Sequence, residues 1–281
     1  MTFRYNTLKI TIMRTFILTT LSILLISISG FAIKPKTKLV KEDRNLSGFN
    51  RIQTYSSIDI YIKQGDKESV IVETNEEYQK QVLISVEDKQ LIIKTKGNIL
   101  NPDKFNVYIT VKDLSDIRSS GSGDIESVGV LKFPSLNFKL NGSGDIEMNI
   151  DTKSVSIEIN GSGDVELEGK ITDLDLHVFG SGDVEIASMD YEKVILSISG
   201  SGDIKLLGSA KLFNIDIVGS GDIDCASFKV KETNINSSGS GDISLYVEDI
   251  LNLNLAGSGD FKLLGDPATK NIKVVGSGNF Y

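Results

Sequence analysis

The sequence predicts an all-β protein, a parallel β-solenoid (β-helix) of about eight coils of 18–21 residues with an irregular β-rich N-terminal capping segment. Three observations carry that expectation. The first is the motif Gly-Ser-Gly-Asp followed by an apolar residue. It starts at Gly121, Gly142, Gly161, Gly180, Gly200, Gly219, Gly239 and Gly257, and ends in a Gly-Ser-Gly-Asn variant at Gly276. Successive first glycines lie 21, 19, 19, 20, 19, 20, 18 and 19 residues apart, and so regular a period marks stacked structural repeats. The second is strict period-two alternation after each motif Asp. The third is composition: the chain has 26 Gly, 4 Pro and no Trp, and the motif supplies 18 of the glycines, so the enrichment marks one corner used repeatedly, not a flexible tract.

The chain has 281 residues and is 40% hydrophobic, room for one or two domains with a sizeable core. Its net charge is −8, and residues 1–32 contribute Arg4, Lys9 and Arg14 with no acid, so the remainder is more acidic still. That balance argues against nucleic acid, whose binders cluster positive charge. Residues 1–32 are expected to be a signal peptide. Arg14 supplies the positive end, Phe16 to Phe31 the apolar run, and Gly30-Phe31-Ala32 a small-x-small cleavage site. Met13 as the start would give the signal a conventional length. The alternative is a retained membrane anchor, but the run falls short of the ~20 residues that a bilayer requires. No stable membrane span is expected after cleavage, and the protein should reach the periplasm, the cell surface or the medium. No Cys follows the run to accept a lipid, and Cys225 is the sole cysteine, so no internal disulfide can form.

Residues 33–48 are expected to form a polar linker, and 49–118 an N-terminal β-rich cap. Ile58-Asp59-Ile60-Tyr61-Ile62 and Val70-Ile71-Val72 are strand-like around a turn at Gln64-Gly65-Asp66. Asn75 to Val82 predicts one or two helical turns capped by Asn75, with Glu76 and Glu77 at the N-terminus. Leu83 to Val86 and Leu91 to Lys94 predict a hairpin, and Asn106 to Val111 the last strand before the repeats. A bare solenoid end exposes strand edges, so this block is expected to cover the open end of the stack.

Phe49, Ile58-Asp59-Ile60-Tyr61-Ile62, Gln64-Gly65 and Leu91-Ile92-Ile93, running into the Gly-Ser-Gly-Asp-Ile coils, together give a pattern similar to one family. It resembles the putative auto-transporter adhesin, head GIN domain family, exported bacterial proteins of unknown function. The resemblance spans roughly Phe49 to the C-terminus and implies a β-helix-like fold and export. No autotransporter membrane barrel is expected after the repeats, so the resemblance supports fold and export more than adhesion.

Residues 119–281 are expected to be the solenoid repeats. After each motif Asp comes an apolar residue (Ile125, Ile146, Val165, Val184, Ile204, Ile223, Ile243, Phe261), and two further on Ser127, Met148, Leu167, Ile186, Leu206, Cys225, Leu245 or Leu263. Between them stand Glu126, Glu147, Glu166, Glu185, Lys205, Asp224, Ser244 and Lys262. This is a strand with one buried face. A second strand precedes each motif, as in Leu136-x-Phe138-x-Leu140 and Leu174-x-Leu176-x-Val178, with Asn137, Asn214, Asn234, Asn252 and Asn271 at one outward position. Two short strands and a variable corner cannot close a domain alone. Stacked about 4.8 Å apart, eight intervals give a rod of about 38 Å. A sandwich of hairpins would need turn signals at both strand ends, which the variable far corner lacks. Glycine suits the motif corner in two ways: positive φ for the bend, and no Cβ where corners stack. Cys225 falls on an inward ladder and reads as a small buried hydrophobe.

Stacking puts Asp124, Asp145, Asp164, Asp183, Asp203, Asp222, Asp242 and Asp260 in one column. Carboxylates 4.8 Å apart repel by about 0.9 kcal/mol in bulk water. Two arrangements would offset this. Each Asp accepts N–H groups of its own glycine corner, as in an Asx turn, or cations such as calcium sit between rungs, helped by Glu126, Glu147, Glu166 and Glu185 on the same face. The motif is superficially similar to the calcium-binding Gly-Gly-x-Gly-x-Asp repeat, but its Asp comes one residue early, which in a strand turns the side chain to the opposite face. His177, the one histidine, is expected outward among Lys139, Glu158, Ser197 and Asp216. The motif Ser does not fit a Gly-x-Ser-x-Gly elbow, and Gly-Ser-Gly lacks the strand-loop-helix setting of a phosphate loop. Acids repeated on every rung read as architecture, since a true catalytic site breaks the repeat. No residue is therefore assigned as catalytic, cofactor-binding or metal-ligating, and no cofactor is expected. The expected function is non-catalytic, adhesin-like binding of a glycan or surface protein. A β-helix enzyme acting on polysaccharide and a purely structural spacer are the alternatives.

Overall fold

The computed structural model describes residues 37–281, of which Lys38–Tyr281 form one unit. The signal-peptide reading of residues 1–32 lies outside the described residues, as do 33–36 of the linker. Seven long strands make the regular part: β9 (Ile125–Leu140), β10 (Ile146–Ile159), β11 (Val165–Val178), β12 (Val184–Ile198), β13 (Ile204–Gly219), β14 (Ile223–Gly239) and β15 (Ile243–Gly257). Each pairs in parallel with the next, and matching letters become columns: Glu126 lies beside Glu147, Glu147 beside Glu166, and Glu166 beside Glu185. The stack ends in β16 (Phe261–Leu264) and β17 (Thr269–Gly276), both alongside β15.

Within a coil the alternation sets which way each residue faces. In β10, Ile146, Met148, Ile150 and Thr152 are buried, then Lys153 and Ser154 both face out, and Val155, Ile157 and Ile159 are buried again. That doubled outward pair is the far corner. Two strands per coil were expected. Instead a single strand bends through the corner, because the neighbouring coil bends beside it and keeps its backbone groups paired. Differences in coil length are absorbed between the start of the strand and that corner, or at the corner itself. The register shifts between coils fall after Glu147, Gly169, Ala187, Lys205, Cys225 and Val230, never at the motif.

The motif corner is where glycine is obligatory. A Cβ on Gly142 would lie 1.8 Å from the carbonyl oxygen of Gly121, one on Gly161 1.9 Å from that of Gly142, and one on Gly200 2.0 Å from that of Gly180. The following Ser N–H donates to that same oxygen, as from Ser143 to Gly121 at 3.1 Å. Positive φ, the other expected reason, holds only at Gly219, Gly257 and Gly276 among the motif glycines. Close stacking of backbones, not the bend, excludes a side chain.

The apolar interior is continuous along the rod. At mid-length it holds an aromatic cluster: Phe228 meets Phe213 edge-on with ring centroids 5.5 Å apart and Tyr191 at 5.6 Å. Cys225 is fully buried, and burial pushes its thiol up to about 12, as expected of a small core residue with no chemistry.

Before the repeats come β1 (Leu39–Asp43), β2 (Arg51–Thr54), β3 (Asp59–Gln64), β4 (Ser69–Asn75), β5 (Val82–Glu87), β6 (Gln90–Thr95), β7 (Phe105–Val111) and β8 (Asp116–Ser119). They extend both walls of the solenoid out of sequence order. Beyond the first half of β9 lie β3, β7, then antiparallel β4 and β1; beyond its second half lie β8, β2, β6 and antiparallel β5. The hairpin of β5 and β6 forms as expected, with Asp88 and Lys89 at φ 48° and 63° in the tight turn. β1 falls inside 33–48, the stretch expected as a linker, because the edge of β4 gives Leu39 to Asp43 a pairing partner. The helical turns are a 3-10 helix, Glu76–Gln81, and Asn75 does not cap it. Its side chain instead clasps Asp103, donating to the carboxylate at 2.7 Å and accepting the backbone N–H at 2.8 Å. We propose that 49–118 serves as the cap, although the strand register crosses 118/119 without a break.

Candidate functional site

The motif aspartates do line up, and hydrogen bonds hold the column together. The N–H of Asp145 donates to Oδ1 of Asp124 at 2.9 Å, and Asp164, Asp183, Asp203, Asp222, Asp242 and Asp260 each donate to the preceding Asp at 2.8 Å. The expected Asx turn kept the acceptor within its own corner. Here each carboxylate serves the next coil instead, because the stacked corner brings that N–H closer. At the far end Asn279 donates both its N–H and its Nδ2 to Asp260, at 2.8 and 3.0 Å. At the near end Asp124 donates to Asp59 at 3.2 Å. Asp59 was missed as a member of the column. Ser56-Ser57-Ile58-Asp59-Ile60 occupies the motif's place one rung earlier, and the Asp-Ile pair was the signal for it.

The next outward column runs Tyr108, Tyr61, Glu126, Glu147, Glu166, Glu185, Lys205, Asp224, Ser244 and Lys262. Its two tyrosines stack with ring centroids 5.2 Å apart. Burial pushes the Glu126 carboxyl above the usual range, and Glu147, Asp124 and Asp59 add to the effect by repulsion. Burial also raises Asp59, an effect the Asp124 N–H opposes and the Asp124 carboxylate reinforces. Lys205 interrupts the acids, its Nζ 2.7 Å from Oε1 of Glu185. Both side chains are nearly half exposed, so solvent screens the pair. Between the two columns runs an open groove of about 510 Å³, lined from Asp164 and Glu166 to Asp222 and Asp224 with Lys205 among them.

Among the described residues, no three His, Cys, Asp or Glu side chains converge as a metal site. Each Oδ1 already takes an N–H, which weakens the cation alternative for Asp124, Asp145, Asp164 and Asp183 with Glu126, Glu147, Glu166 and Glu185. Calorimetric titration of calcium to millimolar concentration into chelator-treated protein is expected to give no heat and no change in melting temperature. A saturable exotherm near one ion per rung would reverse that reading.

The opposite wall carries amide ladders. Asn234 donates Nδ2 to Oδ1 of Asn214 at 2.9 Å, Asn252 to Asn234 at 2.8 Å, and Asn271 to Asn252 at 2.8 Å. Asn137 shares their column at its other end. His177 stands outward between Glu158 and Ser197, as its phase predicted, with Nε2 3.0 Å from Oδ1 of Asp175.

Fold and columns together define a parallel β-solenoid with an open polar surface. The chain belongs to the family described as Putative auto-transporter adhesin, head GIN domain, whose pattern matches residues 48–193 and 173–267. Among solved structures it is similar to a putative adhesin from Parabacteroides merdae ATCC 43184, 23% identical, TM-score 0.64, over 87% of this chain and 96% of that one. A putative adhesin from Parabacteroides distasonis ATCC 8503 is equally similar at 23% identity and TM-score 0.63, over 87% and 96%. A putative lipid binding protein from the same strain shares 21% identity at TM-score 0.56, over 87% and 97%. At these identities the likeness establishes the fold. All three names are those of binding proteins, not enzymes. No curated protein matches the chain. Among the described residues no helix is long and apolar enough to cross a membrane.

Proposed function

We propose that the protein is exported and acts, without catalysis, as a surface or periplasmic binding module for a repetitive glycan. One observation carries this reading: the acidic columns repeat once per coil along an open groove, so a ligand with its own regular spacing meets equivalent groups on successive rungs. Carboxylates there accept sugar hydroxyls, and Lys205 offers the one cation in the groove's lining. The acidic majority favours a neutral or amino-bearing glycan over an anionic one. Family membership supports a binding role. The open form of the groove fits weak contacts repeated many times, whose avidity rises with ligand length.

The test is a glycan array probed with residues 37–281, followed by product analysis of each hit. Binding is expected to strengthen with chain length and to fall at least tenfold in a Glu166→Gln, Glu185→Gln double variant. Release of new reducing ends or unsaturated sugars would convert the reading to an enzyme. Silence across the array would leave the rod a spacer.

A further inference from the structure

The ends of a solenoid are strand edges, and among the described residues two of these edges carry charges. β1 carries Lys41, Glu42 and Asp43, and β17 carries Lys270 and Lys273; such charges discourage pairing with another strand. β5 is different. It pairs with β6 alone, and Val82-Leu83-Ile84-Ser85-Val86 holds no charge. In the two-residue hairpin Leu83, Ser85 and Glu87 bond to β6, so Ile84 and Val86 direct their N–H and C=O away from it. Leu83 is 47% exposed.

A groove of about 500 Å³ lies at this hairpin, lined by Val82 to Ser85 of β5, Ile92 and Lys94 of β6, and Arg44, Gln79 and Lys80. Its lining includes three cations, Arg44, Lys80 and Lys94, and no acid, on a chain whose net charge is −8. Arg44 is held in place: Nη2 donates to the backbone oxygen and Oε1 of buried Gln79 at 2.7 and 2.8 Å, and Nη1 to Glu42 at 3.0 Å. Gln79 is itself fixed by bonds to the carbonyls of Val40 and Val72. Arg44 Nε is buried without a partner. Lys80 and Lys94 form no ion pair among the described residues, Lys94 resting over the Tyr55 ring.

We propose that the β5 edge is a strand-addition site for an extended acidic peptide segment of a partner protein. The edge supplies main-chain hydrogen bonds, exposed Leu83 the apolar contact, and the three cations the preference for carboxylates. Residues 1–36 of the same chain contain no acid and do not match that rim. The site is separate from the glycan groove and stands or falls independently of it.

Fluorescence anisotropy with a labelled hexapeptide of alternating Val and Glu tests this on residues 37–281. The Glu peptide is expected to bind at least tenfold more tightly than its Val-Lys counterpart, and more tightly by the same margin than the same peptide N-methylated at every amide. Ile84→Pro removes an N–H facing the groove without breaking a bond to β6, and should abolish binding. Lys80→Glu with Lys94→Glu should weaken it at least tenfold at an unchanged melting temperature. Equal binding of the Glu and Lys peptides, full binding of the N-methylated one, or no binding at all would overturn the proposal.

Discussion

Gly200→Ala is expected to destabilise the protein by about 4 kcal/mol or more, or to prevent folding of the coils on either side, an effect at the extreme of single substitutions. The added methyl would stand 2.0 Å from the carbonyl oxygen of Gly180 and 3.1 Å from its carbonyl carbon. Backbone cannot rotate out of the way as a side chain can. The coils must part, and the Ser201 N–H to Gly180 bond at 3.1 Å goes with them. Gly129→Ala is the control. Its Cβ meets nothing within 4 Å, and only φ +81° is strained, at a cost of about 1–2 kcal/mol. Urea unfolding midpoints of the two variants measure the difference. Equal losses would mean that backbone conformation, not the approach of stacked corners, dictates glycine.

The second large effect is expected at Phe213, fully buried against Phe228. Phe213→Ala should cost about 3–5 kcal/mol, because the rigid walls of a solenoid close poorly on the cavity left behind. Phe213→Leu should cost clearly less. Each coil contacts only its neighbours, so the damage should be local. Hydrogen exchange is expected to lose protection first in β12 to β14 and to stay slow in β3 and β7. Uniform loss along the rod would show that the coils unfold as one body, against the nearest-neighbour picture.

The aspartate ladder shows how far repetition alone specifies structure. The constant period makes the column legible in the sequence, since identical letters at equal spacing stack in the register that buries the apolar rungs. What each carboxylate bonds to was not legible. An Asx turn and a bond to the next coil use the same letters, and only the distance between stacked corners selects the second. Asp59 escaped because its rung has Ser56 and Ile58 where the motif has glycine. A rung under an incoming glycine need not be glycine itself, since the incoming residue is the one that must lack a Cβ.

The sequence by itself determined the solenoid, the inward phase of the apolar residue after each motif Asp and the outward columns of Asp, Glu and Asn. These follow from local alternation and a fixed period. Tertiary structure decided the order of strands before the repeats, where β3 lies beside β9 while β2 reaches it only through β8, pairings that join residues about 65 positions apart. It also decided that changes of coil length are absorbed away from the motif, and that β5 is left as an open edge. Those outcomes depend on which distant backbone arrives to pair, and no local pattern records the identity of a neighbour brought in by the fold.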